Sequence, residues 1–267
     1  MINRPNPNAK LWLFDFDNTL AALEREVDWP GSRRELEAFL RAEGVDEQIF
    51  VEIPHGNLPL YAALHGLWLR ASNGETRLAI KQTANPSRAG AQALLRRSSQ
   101  IIERHELIGA ERARPTPGAI DLLQSVAARG AISIIVTSNS SRTVARWLEI
   151  HRIAGLIRDI VGRDSLLALK PSPEMIARAI ELVAIRPAKE VSATDFSAIS
   201  AADTVFVGDS EADLGAARAA GLGFYGIAAT ESARLRLIAG GATSIFSSPA
   251  ALLIHLNSRP DPHAEAD

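Results

Sequence analysis

The stretch Leu11-Trp12-Leu13-Phe14-Asp15-Phe16-Asp17-Asn18-Thr19-Leu20 decides the fold. Its first six residues, Leu11 to Phe16, form a short apolar run closed by Asp-Asn, and a run of that length bounded by turn-formers reads as a buried strand. Two carboxylates, Asp15 and Asp17, therefore fall where that strand ends. The same pattern recurs downstream at Ala131 to Thr137 (AISIIVT) and Thr204 to Gly208 (TVFVG), with a weaker copy at Gly223 to Ala228 (GFYGIA). Helical periodicity separates these runs over Gly118–Arg129, Arg142–His151, Pro173–Ile185, Glu211–Ala220 and Ser232–Ile238. Gly130 and Gly221 stand where helix C-caps belong, and Ser172-Pro173 supplies a cap residue followed by proline at a helix start. Continuous apolar strands alternating with helices predict an α/β fold with a Rossmann-like parallel sheet covered on both faces. Ligands of such sheets bind at the carboxyl ends of the strands.

Residues 21–112 read differently. Pro30-Gly31, His55-Gly56-Asn57, Ser72-Asn73-Gly74 and Asn85-Pro86 interrupt them, and no strand pattern is evident. Leu36, Phe39 and Leu40 share one helical face, as do Leu60, Leu64, Leu67 and Trp68, which predicts a helical insertion with a small core of its own. The expected division is a core of residues 1–20 and 113–267 and a helical cap of 21–112. Arg186 to Asp203 is long for a connection within a compact domain, and Ser258 to Asp267 reads as a frayed tail.

Composition narrows the function. The chain has 267 residues with 29 basic and 31 acidic side chains, a formal net charge of −2, so no global field gathers a polyanion or an anionic membrane. Acidic and basic residues also nearly balance within the insertion, whereas a nucleic-acid-binding segment is normally basic. With no cysteine, disulfides, thiolate metal sites and thiol catalysis are excluded. The polar start, Met1 to Lys10, has no secretory core, and no apolar run reaches the roughly 18 residues of a membrane span. A cytoplasmic location is expected, with no nucleic-acid or membrane partner. The oligomeric state is not specified.

Four groups stand at the ends of the predicted strands or just beyond them: Asp15 and Asp17; Thr137, Ser138 and Asn139; Lys170; and Asp209 with Asp213. In a parallel sheet these ends meet on one rim. Carboxylates attract a hard cation, which in turn neutralises the repulsion between a phosphate and an attacking carboxylate. Lysine, hydroxyls and turn amides add positive charge and donors for equatorial oxygens.

The set resembles the haloacid dehalogenase superfamily of hydrolases, in the phosphatase branch with an α-helical cap inserted after the first motif, as in phosphoglycolate phosphatases. DFDNTL matches that family's DxDx(T/V) signature, and PTPGAIDLL, KPSPEMIARAIELV and GDSEADLGAARAAG are similar to its later motifs. The resemblance implies a magnesium-dependent phosphatase acting on a small phosphorylated metabolite through an aspartyl-phosphate. It makes Asp15 the nucleophile, Asp17 the acid and base, and Lys170 the third motif. Thr137, Ser138 and Asn139 become the phosphate site. Magnesium falls to Asp15, the Asp17 main-chain carbonyl and Asp209, with Asp213 supporting them.

Each residue has a plainer reading alone: Asp17-Asn18 as a turn, Ser210 to Asp213 as a capping box, Lys170 as a solvated lysine, Thr137 as a strand residue. Their joint occurrence, in order and at strand ends, favours the site. The six histidines show no metal spacing, and Trp12, Trp68 and Trp147 read as core. Arg25, Arg33, Arg70 and Arg77 read as solvated faces. A phosphomutase of the same superfamily and a non-catalytic phospho-ligand-binding protein are the alternatives. A receiver domain is shorter and carries its acceptor on a later strand, and a dehalogenase has no use for Asp17.

Overall fold

The computed structural model describes residues 2–72, 88–185 and 199–258. In chain order the strands are β1 (Leu11–Phe14), β2 (Ile132–Val136), β3 (Asp159–Val161), β4 (Thr204–Gly208), β5 (Gly223–Ile227) and β6 (Ile245–Phe246). The helices are α1 (Trp29–Ala42), α2 (Gln48–Glu52), α3 (Asn57–Ser72), α4 (Arg88–Ala110), α5 (Ala119–Ala128), α6 (Ser141–Ile150), α7 (Glu174–Ile185), α8 (Glu211–Ala219), α9 (Glu231–Ala239) and α10 (Pro249–Asn257). The strands form one sheet in the order β3-β2-β1-β4-β5-β6, and every pairing is parallel. The α/β expectation holds.

All residues of β1, β2, β4 and β5 are buried, as a sheet covered on both faces requires. Alternation along each strand splits the core in two. Leu11, Leu13, Ile134, Val136 and Phe206 face one side with Met175, Ile176 and Leu214. Trp12, Phe14, Ile135, Val205, Val207 and Tyr225 face the other with Leu122, Trp147 and Leu252. The anticipated boundaries shift by up to two residues for most elements. The two shortest strands, β3 and β6, and the final helix α10 were not anticipated. A strand of two or three residues carries too few side chains to show a period.

The expected glycine caps and capping box are present, whereas α7 starts at Glu174, which puts Pro173 rather than Ser172 at the cap position. Gly130 and Gly221 hold positive φ of 72° and 70° after α5 and α8, the left-handed conformation that glycine adopts without steric cost. Ser210 and Asp213 form a reciprocal capping box at the start of α8. Within 21–112 the regular elements among the described residues are a short 3-10 turn at Glu24–Glu26 and the helices α1 to α4. Their apolar side chains do not stand apart, however: Leu36, Leu40, Leu60 and Leu64 belong to the same cluster as Leu11, Leu13 and Phe206. Arg186 to Ala198 and the tail beyond Ser258 lie outside the described residues.

Candidate active site

Register places the chemistry. Phe14 is level with Ile135 of β2 and Val207 of β4, so Asp15, the end of β2 and the Gly208-Asp209 corner reach one rim together. The strand order reverses beside β1, the switch point at which such sheets bind ligands. The Asp15 amide donates to the Val207 carbonyl at 2.8 Å, which extends the ladder one residue and fixes the carboxylate above the sheet. Asn18, at φ 58°, turns the chain. Asparagine tolerates this left-handed geometry better than most residues.

Lys170 enters the rim from the loop before α7, and its side chain is almost fully buried. Its Nζ donates to Asp15 Oδ1 and to the Val136 carbonyl at 3.1 Å, and lies 2.5 Å from Asp213 Oδ1. Burial works against the ammonium, but the two carboxylates more than offset it and raise its pKa. The other oxygen of Asp213 accepts from the amides of Asp209 (3.2 Å) and Ser210 (3.0 Å) and from Ser210 Oγ (2.6 Å). Asp213 thus orients both the lysine and the turn that carries Asp209. Gly208 is required there, because a Cβ would fall 2.6 Å from the Asp213 Cβ.

Oxygens of Asp15, Asp209 and Asp213 lie within 4.8 Å of one another, a set able to hold a metal ion. Burial and mutual repulsion push Asp15 up to about 6 and Asp209 up to about 9 from an ordinary 3.8. Carboxylates that resist ionisation side by side are suited to a shared hard divalent cation. The Asp17 carboxylate lies outside this cluster; its Oδ1 accepts from the Glu24 amide at 2.8 Å. Burial, with Asp15 and Glu24 nearby, raises it to about 7 despite the backbone hydrogen bonds.

Thr137 follows β2 and is 1% exposed. Its hydroxyl donates to Asn139 Oδ1 at 3.0 Å and accepts from the Asn139 amide at 3.1 Å. Asn139 Nδ2 in turn donates to Glu106 Oε1 at 3.0 Å, so the Asn139 side chain is committed to the loop itself. Thr137, Ser138 and Asn139 line one chamber of about 380 Å³ with Asp15, Asp17, Lys170 and Asp209. The structure therefore brings every proposed residue except Asp213 to this chamber, and Asp213 lies directly behind it.

Sequence reasoning missed a second layer. Glu106 of α4 and Arg163, just after β3, are both fully buried and pair through two bonds of 2.7 and 2.9 Å. Arg163 Nη1 also donates to the Ser138 carbonyl at 2.8 Å, and Glu106 Oε2 accepts from the Ser140 amide at 3.2 Å. A buried ion pair therefore grips the loop 137–140 from below. The signal was available: Glu106 continues the buried stripe Leu95, Ile102 at helical spacing. Arg33 was misjudged as solvated. Its side chain is 11% exposed, beside Glu37 at 2.5 Å, and donates to the carbonyls of Gly56 and Ile53. The side chains of Arg70 and Arg77 lie outside the described residues. His65 behaves as a satisfied core histidine, with Nε2 2.9 Å from the Leu166 carbonyl.

Sheet and rim together set a buried carboxylate, Asp15, at the switch point of a parallel sheet. Residues 9–221 match the model of haloacid dehalogenase-like hydrolases, and the chain belongs to that family. Among curated relatives it is 27% identical over 151 residues to phosphoglycolate phosphatase 1 of Pseudomonas aeruginosa, covering half of each chain. It is 31% identical over 106 residues to the phosphoglycolate phosphatase of Rhodospirillum rubrum, covering 40% of this chain and 38% of that one. The match thus spans half or less of these relatives. A hydrolase from Pseudomonas syringae superposes with a TM-score of 0.56 at 21% identity, covering 94% of this chain and all of the other. A haloacid dehalogenase-like family protein from Streptococcus pneumoniae gives 0.54 at 16% identity, covering 94% and 99%. Among the described residues no helix is long and apolar enough to cross a membrane.

Proposed function

We propose that the protein is a magnesium-dependent phosphatase of small phosphomonoesters that works through an aspartyl-phosphate on Asp15. The observation that carries this reading is the Asp15 carboxylate, buried at the switch point, ion-paired to Lys170 and sharing its chamber with Asp17. Asp15 attacks phosphorus as the bond to the leaving oxygen breaks, and Asp17 delivers a proton to that oxygen. Asp17 then takes a proton from water, which attacks the same phosphorus and frees inorganic phosphate and Asp15. Lys170 offsets the charge on Asp15, while Thr137 and Ser138 line the place of the phosphoryl oxygens, the Thr137 hydroxyl exchanging its bond to Asn139 Oδ1 for one to the phosphate. Bound with Asp15, Asp209 and the Asp17 carbonyl as ligands, Mg²⁺ supplies Lewis-acid neutralisation of the phosphate charge. Asp213 holds Lys170 and the Asp209 turn.

Residues 21–112 act as a cap domain over this rim, and the substrate is a small metabolite rather than nucleic acid. The lack of cysteine and of a long apolar helix among the described residues suits the cytoplasm. The phosphoglycolate phosphatase names among the relatives support the phosphatase reaction rather than that one substrate. The test is hydrolysis of a small aryl phosphomonoester, phenyl phosphate, with Mg²⁺ by wild type and by Asp15→Asn. Loss of turnover in the folded variant is expected, and wild-type rates in it would refute the mechanism.

A further inference from the structure

Loop 137–140 rests on a hydrogen-bond network in which the acceptor capacity of Glu106 is fully used. Its Oε1 accepts from Arg163 Nη1 at 2.7 Å and from Asn139 Nδ2 at 3.0 Å. Its Oε2 accepts from Arg163 Nη2 at 2.9 Å, the Ser140 amide at 3.2 Å and the Thr143 hydroxyl at 3.4 Å. Arg163 also donates to Ser99 of α4, from Nε to Oγ at 3.1 Å and from Nη2 to the carbonyl at 3.3 Å. The ion pair is fully buried and Asn139 is 4% exposed, so each of these bonds is made away from water.

Proton direction decides what Asn139 can do. A carboxylate paired with a guanidinium only accepts, so the end of the Asn139 amide that faces Glu106 is Nδ2. The other end, Oδ1, is thereby turned to the Thr137 hydroxyl at 3.0 Å. An amide oxygen also only accepts, so the single Thr137 proton goes to it. The Asn139 backbone amide fills an acceptor site of the same hydroxyl at 3.1 Å. Asn139 therefore lines the chamber with no donor left for a phosphoryl oxygen. Ser138 differs: among the described residues only its carbonyl is engaged, by Arg163 Nη1 at 2.8 Å, which leaves its amide and hydroxyl for the chamber. A phosphoryl oxygen at Thr137 has to take the proton from Asn139 Oδ1, and stranding an acceptor buried to this degree is unfavourable.

We infer that Asn139 is a positioning residue rather than a phosphate ligand: held by Glu106 of α4, its amide oxygen competes with phosphate for the Thr137 proton and loosens the grip on substrate and released phosphate alike. The inference rests on the phosphatase reading above, in which Thr137 meets the phosphoryl group. A contact that substrate and transition state share equally lowers KM without speeding the chemical step, so weakening it leaves the chemistry intact and eases product release. The experiment measures Kd of the full chain for inorganic phosphate by titration calorimetry at fixed Mg²⁺, and KM for phenyl phosphate, in wild type and Asn139→Ala. Alanine frees the Thr137 proton, so Kd and KM should both fall by about three- to tenfold. In a Thr137→Val background the same substitution should bring no tightening of phosphate. Should Asn139→Ala fail to fold, Asn139→Ser, whose side chain is too short to join Glu106 to Thr137, takes its place with the same expectation. Unchanged or weaker phosphate binding makes Asn139 a structural residue or a ligand, and tightening that persists without the Thr137 hydroxyl removes the competition. Either result overturns the inference, while wild-type turnover of phenyl phosphate keeps the phosphatase reading. No hydrolysis of phenyl phosphate by wild type overturns both.

Discussion

The rim of the sheet and the insertion at 21–112 meet in one chamber but are built on opposite principles. At the rim, chemistry is written in short contiguous words: Asp15 and Asp17 two apart, Thr137 to Asn139 in a row, Asp209 and Asp213 four apart across the start of α8. A strand end can present such a word only one way, because the ladder fixes the register. The insertion instead contributes single residues far apart in sequence, Glu24, Trp29, Leu58 and Glu106, assembled by helix packing. The rim should therefore set whether turnover occurs, and the insertion which substrate is taken.

The hardest break of that division is at the rim. Asp15→Asn should abolish turnover of every phosphoester, since an amide cannot form the acyl phosphate, while Asp17→Asn should lower kcat by roughly 10² to 10⁴-fold. Steady-state rates on two alkyl phosphomonoesters of different size, whose leaving alcohols both need a proton, should fall in parallel for both variants. A change in substrate ranking would show that the rim also selects.

Glu106 blurs the division, because it is an insertion residue that supports the rim. Glu106→Gln leaves Arg163 buried without a counter-charge, a defect typically worth about 3 to 5 kcal/mol, measurable by denaturant unfolding. Replacing both, as Glu106→Gln with Arg163→Met, should recover much of that stability. Turnover should stay low, because the bond from Arg163 to the Ser138 carbonyl is also gone. Stability restored together with full kcat/KM would show that the pair is only a packing device.

This mixture explains what could be read in advance. The strands β1, β2 and β4 and the residues that follow them were legible because each strand is a buried apolar run ending in turn chemistry. Glu106 stands on the apolar stripe of its helix, but its charged neighbours Arg104, His105 and Glu111 draw that position towards a solvated face, and its partner Arg163 is remote in sequence. Arg33 was misread for the same reason: its acceptors are carbonyls at Ile53 and Gly56, which no side-chain pattern announces. Trp29 gives no local sign that its ring borders a chamber rather than a core.

Metal binding should stabilise the rim in a pH-dependent way. Asp15 and Asp209 are raised from 3.8 to about 6 and about 9, so the folded chain holds protons that the unfolded chain releases. Without metal, these two groups favour the folded state at low pH, and that contribution is lost as pH rises from about 4 towards 9. A divalent cation replaces the protons. Saturating Mg²⁺, at about 100 times its Kd, should add about 2.7 kcal/mol, read as a rise in Tm of roughly 5 to 10 °C near pH 8. The rise should shrink near pH 5.5, where protons compete for Asp209 and part of Asp15. It should nearly vanish in Asp209→Ala. An equal rise at both pH values would place the cation elsewhere.

The smallest effect belongs at a position that touches neither region. Ser248 caps α10, its hydroxyl accepting from the Ala251 amide at 3.2 Å, and α10 packs through Leu252 and Leu256 into the cluster that holds Leu122 and Leu123. Ser248→Ala removes one capping bond, a loss of about 1 kcal/mol, or roughly 2 to 4 °C in Tm. Neither kcat nor the ranking among phosphoesters should move, because no hydrogen bond runs from this helix to loop 137–140, Lys170 or the Asp209 turn among the described residues. This variant gives the Glu106 experiment its reference: a modest loss of stability on the far face, without loss of turnover, means that lowered turnover in a folded Glu106 variant reports on the loop it grips. If Ser248→Ala lowers kcat as much as Glu106→Gln does, activity follows global stability, and the distinction between rim and insertion loses its physical basis.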